Sequence, residues 1–513
     1  MTNQAADQPA GAGPGTAPFD DAPITLALFA PLRNDDTLSR YSTLQPPSLD
    51  ILQHELVRSL RAVSMHGVHV VALLDRLLEP HSWLLEIPAG RPYDVTITAL
   101  GQAVRMDAPQ ALADLMRRAF AVDAQAPVVL CMEGHGAGYL PELNPIGVTQ
   151  GDLADLDPLS PGGVVRWQPP NLAIGDDERP ILPMTYPPSG GPPAWGDNLG
   201  LPSTWAVGKA LEIAVNGREA CGRKVSVIHF DNCFNMSLEL LSEVAPHVHY
   251  ATGYMNYNFF TGGASYGDVF ARLRAMPGAG AAELAALFAK GNQAELNEIA
   301  GHPTTGGAVA LERMPVIVEA VYCLAAALTQ DAQTPDGRDR IQHAIKEAQQ
   351  YDTGSSFDLD VPDQLTDVRS LAEAICKLKT LSARTLAAAQ DLFQALDAIK
   401  VYGDKGEPLF LQGQVPPVKW DFECAPLAMN VLCPDPTRIG LWDPRSPYYL
   451  LPPLAALPNV IGFLRPQGEK PNPWQEFIVE YHRGAAFTGY AYPRIITPAF
   501  GAKPKRCSPC ESR

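Results

Sequence analysis

The chain is short of positive charge, of cysteine and of long apolar runs, and each shortage closes off a class of function. Lys and Arg number 39 against 56 Asp and Glu, giving a formal net charge of −17 over 513 residues. Phosphate contacts need clustered Lys and Arg. None are clustered here, so the sequence argues against nucleic-acid binding and against docking on anionic membranes. An acidic surface suits basic peptide partners instead. No stretch of about 20 apolar residues occurs, so no segment reads as a membrane span. Cysteines number nine, an odd count. Residues 1–23 carry neither a basic start nor an apolar core of the signal-peptide kind. Together these favour reduced thiols and a cytoplasmic location. There is no Walker-type loop, no GxSxG elbow and no GxGxxG fingerprint. Cys507 and Cys510 have CxxC spacing, but a zinc knuckle needs four ligands, so no metal is assigned there.

What is present points to a globular α/β protein. Apolar residues make up 46% of the chain, enough for a full core, and the length allows roughly two to four domains. Buried strands are expected at 24–30, 68–74, 128–132, 225–230 and 248–254, with a short hairpin over 83–87 and 95–100. Helical spacing occurs over 48–64, 108–120, 203–216 and 234–244. This alternation predicts a mainly parallel, doubly wound sheet. The expected organisation is a disordered 1–23, a core over 24–279, a helical region over 280–400, a mixed strand and loop region over 401–501, and a disordered tail over 502–513. Within the core, 141–202 is a Pro/Gly-rich insertion of the length that is usually functional.

Two strands end in reactive residues. Ala126–Gly138 runs through an apolar stretch into His135, with Gly134, Gly136 and Gly138 around it. Lys224–Met236 runs into Asp231 and Cys233. In open α/β sheets reactive groups gather at the carboxyl ends of the strands, and a Cys with a His nearby is the minimum apparatus for thiolate catalysis. A helix following Cys233 would favour the thiolate through its N-terminal dipole. The N–H groups of Gly136 and Cys233 are plausible oxyanion donors. Asp231 reads either as a local hydrogen-bonding carboxylate or as the acidic wall of a pocket for a Lys or Arg side chain. His229 is one step deeper on the same strand face and reads as core. A metal-dependent hydrolase built on His135, His229, Asp231 and Cys233 is a minor alternative, because no HExxH-type spacing supports it.

These blocks resemble those of the clostripain-family cysteine peptidases. His135–Gly138 is similar to the family's His-Gly-x-Gly block. Asp231–Met236, followed by Glu239, is similar to its Asp-Ala-Cys-Leu-Met…Glu block, with Asn232 and Phe234 as departures. Val248–Gly253 stands where the family has a strand leading to substrate-contacting loops. Ile24–Asn34, Ser355–Asp360 and Trp474–Phe477 carry weaker echoes. The resemblance implies a caspase-like α/β fold with a helical and mixed C-terminal extension. It implies a Cys233–His135 dyad acting on peptide or protein substrates, with Asp231, Tyr254 and Asn256 near the substrate. It implies no obligatory cofactor, although some members need calcium; no EF-hand-like loop occurs here. Relatives often cut themselves between the His and Cys blocks after a basic residue, which points to Arg166–Trp167. The alternative the resemblance permits is a regulatory or effector protein, as in bacterial signalling, whose 280–400 region binds a protein partner.

Overall fold

The computed structural model describes residues 18–19, 22–32, 51–76, 81–101, 104–134, 136, 138–139, 202–256, 263–295, 305–351, 365–405, 409–411, 418–420, 429–433, 459–465 and 472–481. Its centre is a nine-stranded sheet. Five strands run parallel in the spatial order β2 (Val68–Arg76), β1 (Ile24–Leu32), β5 (Val128–Glu133), β6 (Val225–Asp231) and β7 (Val248–Tyr254). On the β2 side the antiparallel hairpin β3 (Ser82–Ile87) and β4 (Thr96–Leu100) extends the sheet. On the β7 side β8 (Thr305–Ala310) and β11 (Lys400–Lys405) extend it, also antiparallel.

The central strands form because they are apolar on both faces. All nine residues of β1 and all six of β5 are buried, the pattern of a parallel sheet covered by helices on both sides. One face packs against α1 (Glu55–Ser64), α5 (Tyr266–Arg274) and α6 (Ala281–Glu295). The other packs against α2 (Pro109–Val122), α3 (Thr204–Val215) and α4 (Leu238–Val244). The second core continues into α7 (Met314–Asp331), α8 (Pro335–Glu347), α9 (Val368–Leu378), α10 (Ala383–Ile399) and α11 (Pro473–Tyr481). Ser203, Ser237 and Ser382 cap three of these helices through their side-chain oxygens, each satisfying an otherwise orphaned backbone N–H.

The expected mainly parallel sheet is found, and three details differ. The helix after Cys233 begins at Leu238, not at 234, because Phe234 has φ +60° and a residue in that conformation cannot sit inside a right-handed helix. Within the region expected to be helical, residues 365–399 divide into β10 (Leu365–Asp367), α9 and α10. The break falls at Lys379, where φ is +52°. The region expected to be helical over 280–400 also supplies β8 to the main sheet, so the sheet crosses the expected boundary at 279. Two short strands, β9 (Gln350–Tyr351) and β14 (Asn430–Leu432), flank β10 in a separate small sheet, and β12 (Leu409–Leu411) pairs with β13 (Val418–Trp420). Among the described residues no helix is long and apolar enough to cross a membrane. The insertion over 141–201, the segment Ser355–Asp360, both expected disordered termini up to residue 17 and beyond 501, and the Cys507/Cys510 pair lie outside the described residues.

Candidate active site

β5 and β6 lie side by side with Glu133 opposite Asp231. Both strands end at the same edge, so the two reactive segments leave the sheet together. Gly134 turns the first segment with φ +105°, which only glycine adopts readily. His135 lies outside the described residues; the residue after it does not. Gly136 packs directly on the backbone of Cys233. A Cβ placed on it would overlap the Cys233 carbonyl oxygen and stand 2.9 Å from the Cys233 nitrogen. Two residues on, the Gly138 N–H donates to Asn235 Oδ1 at 3.1 Å, and Ser237 Oγ donates to the Gly138 carbonyl at 2.8 Å. The His segment and the Cys segment are thus in backbone contact at Gly136 and fastened at Gly138 by two side chains of the Cys segment.

Cys233 is buried, and it heads a turn and not a helix. The turn is held to the end of β7: the Phe234 N–H donates to the Asn256 carbonyl at 3.0 Å and the Met236 N–H to the Tyr254 carbonyl at 3.1 Å. Tyr254 and Asn256, expected near substrate, therefore adjoin the Cys233 turn through their backbones, and both side chains are buried. Burial, with the Asp231 carboxylate next, pushes the Tyr254 hydroxyl well above its ordinary range. Among the described residues neither atom of the Asn256 side-chain amide has a hydrogen-bond partner, and Asn232 Oδ1 has none either.

Asp231 is fully buried on the α5/α6 side of the sheet. Its Oδ2 accepts from the Tyr266 hydroxyl at 2.8 Å and its Oδ1 from Asn292 Nδ2 at 2.7 Å. The Tyr266 oxygen also lies 3.0 Å from Glu133 Oε1. One hydroxyl hydrogen cannot serve two carboxylates. Burial, and then the Asp231 charge, push the Glu133 carboxyl well above its ordinary range, which favours its neutral form beside Asp231. Asn292 completes the cluster: its second amide hydrogen faces His229 Nε2 at 3.0 Å, and its oxygen accepts from Ser265. His229 stacks on Phe288 at 4.5 Å, and burial lowers its pKa to about 4. It is neutral at pH 7 and sits in the core, as its strand position suggests.

A second carboxyl group, Glu133, thus lies beside Asp231. The sequence carries a signal for it, because Glu133 precedes His135 by the same two positions that separate Asp231 from Cys233. Tyr266, Asn292 and Asn430 were also passed over; each comes from an element remote in sequence and carries no local signature. Among the described residues no group of three metal-ligating side chains converges. Cys131, also on β5, is a different kind of thiol: burial, then Asp231 and Glu133, push it well above its ordinary range, which makes it a poor nucleophile.

No protein-family model and no curated protein sequence matches the chain. Solved structures do. An X-ray structure of a secreted C11 cysteine protease from Bacteroides thetaiotaomicron is 10% identical, with a TM-score of 0.50 over 80% of this chain and 93% of that one. An inactive zymogen C11 protease from Parabacteroides distasonis is 11% identical, with a TM-score of 0.45 over 83% of this chain and 94% of that one. The B. thetaiotaomicron enzyme in complex with an irreversible peptide inhibitor is 13% identical, with a TM-score of 0.46 over 80% and 92%. At such identity the first of these speaks to fold alone, and in fold this chain is similar to a C11 cysteine protease.

Proposed function

We propose that the protein is a cysteine endopeptidase in which Cys233 is the nucleophile and His135 its acid and base. The observation that carries the reading is the seating of Gly136 on the backbone of Cys233, since it brings the residue next to His135 against the residue that carries the thiol. The Cys233 thiolate attacks the scissile carbonyl carbon, and the N–H groups of Gly136 and Cys233 receive the oxyanion. The C–N bond breaks as His135 protonates the leaving amine. His135 then takes a proton from water, whose oxygen attacks the thioester and releases the acid product and the thiol.

The same reading puts a basic P1 side chain at Asp231. Its carboxylate is already bonded to Tyr266 and Asn292, so a Lys or Arg reaches it by displacing one of these neutral donors with a charge-assisted one, which is roughly twice as strong. Self-cleavage at Arg166–Trp167 belongs to this reading as well.

The test uses an acyloxymethyl-ketone probe and fluorogenic substrates ending in Arg, Lys, Asp and Leu. Wild type should be labelled and should prefer Arg and Lys. Cys233→Ala should lose labelling and turnover, by roughly four orders of magnitude or more, while staying folded. Residual turnover in Cys233→Ala would remove the nucleophile assignment. A ranking of substrates unchanged in Asp231→Asn would remove the basic P1 assignment alone.

A further inference from the structure

β14 reaches the nucleophile turn from far downstream, and one of its side chains grips that turn at two points. Asn430 is fully buried. Its Nδ2 donates to the Phe234 carbonyl and to the Met255 carbonyl, both at 2.9 Å, across 196 and 175 positions of sequence. An amide nitrogen has two hydrogens, so both are used. The Asn430 backbone N–H donates to the Met236 carbonyl, also at 2.9 Å. Its Oδ1 has no hydrogen-bond partner among the described residues and lies 3.5 Å from where a Cβ on Gly138 would stand. The amide therefore abuts the Cys turn, the end of β7 and the segment that carries His135.

The residue it grips is the strained one. Phe234 follows the nucleophile with φ +60°. A bulky side chain persists in that region only where its surroundings over-determine it. Phe234 is held at one end by its N–H on the Asn256 carbonyl and at the other by its carbonyl on Asn430. The link at the Asn256 carbonyl comes from within the sheet edge. The one at Asn430 comes from outside it, from a strand 196 positions downstream.

We propose that Asn430 is a positioning residue for the nucleophile: by fixing the Phe234 carbonyl to the end of β7 it sets the direction of the Cys233 thiol against the Gly136 segment. The inference rests on the reading of Cys233 as the nucleophile. It assigns the C-terminal region a part in the active site that neither the sheet nor the dyad requires.

The experiment compares Asn430→Asp, nearly isosteric but presenting an oxygen to the two carbonyls, with Asn430→Leu, which keeps volume and removes both donors. Folding is checked by circular dichroism and thermal melting. The main readout is the rate of iodoacetamide alkylation at Cys233 against pH, located by mass spectrometry, because it needs no peptide substrate. In folded variants we expect alkylation to slow by about tenfold or more with a displaced pH midpoint. We expect kcat to fall by ~10- to 100-fold while KM stays within about threefold, as for a group misplaced by a fraction of an ångström. A folded variant whose alkylation rate, midpoint and kcat are all within about twofold of wild type would overturn the proposal. Failure of both variants to fold would overturn it too, by making Asn430 a residue of the fold and not of the site. Should wild type cleave no peptide, the peptidase reading fails, and the alkylation profile still decides the role of Asn430.

Discussion

Two groups of buried polar side chains flank Cys233, and they differ in how densely hydrogen bonds join their members. Beneath the sheet, Glu133, Asp231, Tyr266, Asn292, Ser265 and His229 are joined by side-chain hydrogen bonds, although Glu133 Oε2 and His229 Nδ1 have no partner among the described residues. Above it, around the turn, Asn232 Oδ1, Asn430 Oδ1 and both atoms of the Asn256 amide are buried without a partner among the described residues. Native proteins leave few such atoms unpaired. A satisfied network rigidifies its surroundings. An unsatisfied one forfeits stability, which is the usual mark of a site kept for a ligand. The comparison assigns Glu133, Tyr266, Asn292 and His229 to holding the ends of β5 and β6 and orienting the Asp231 carboxylate, and leaves the amides around the turn as the less densely bonded of the two groups.

The sharpest way to break this comparison is to separate the two segments that meet above the sheet. In Gly136→Ala the added Cβ collides with the Cys233 backbone, where no flexible side chain can yield. The expected result is a loss of at least about 100-fold in kcat/KM, the scale of a displaced oxyanion donor, with a fall in melting temperature. Peptidase assays beside thermal melts check it. A fully active Gly136→Ala would mean that the two segments do not need to touch.

A crossed pair of substitutions tests the contrast itself. Asn256→Leu removes two unsatisfied buried polar atoms and keeps the shape, so stability should be unchanged or raised while activity falls by about tenfold or more. Asn292→Leu leaves Asp231 Oδ1 and His229 Nε2 without their donor, which should cost about 1–3 kcal/mol for the unsatisfied group and more for the charged one. Urea unfolding of both variants, with activity measured alongside, gives the answer. If Asn256→Leu is the less stable of the two, the upper group is structural and the contrast is wrong.

Much of the molecule could be read from the chain before its fold was known, and the gaps have physical causes. The strands β1, β2, β5, β6 and β7 were legible because parallel strands buried on both faces are short unbroken apolar runs. The meeting of the Cys and Gly136 segments followed from two such runs ending in reactive residues. β8, by contrast, reads Thr-Gly-Gly-Ala-Val-Ala, and two glycines hide a strand whose partners β7 and β11 supply the reason for it. The turn at Phe234 was misread as helix because its positive φ is imposed by Asn256 and Asn430 and not encoded by a glycine. Asn430 itself could not be found from sequence, since a lone Asn 196 positions away carries no local mark of its contact.

The smallest expected effect concerns the proton in the lower network. Glu133 is held well above its ordinary pKa of about 4.5, by burial first and by Asp231 second. Above that ordinary value the unfolded chain releases this proton and the folded protein keeps it. The folded state then binds more protons than the unfolded one, so unfolding free energy falls as pH rises from about 4.5 toward the raised folded value. Glu133→Gln is neutral at every pH and still offers a donor to Tyr266. His229 works in the other direction: with its pKa lowered to about 4, its contribution is complete above about 6.5 and is lost as pH falls toward 4. That loss is common to both proteins and cancels in their difference. The variant should therefore gain on wild type as pH rises from about 4.5 toward the raised folded value, in urea titrations at pH 5, 6, 7 and 8. A difference that stays constant over this range would mean that Glu133 is already ionised in the folded protein. The single hydrogen of Tyr266 would then face two carboxylates, and the lower group would be one donor short.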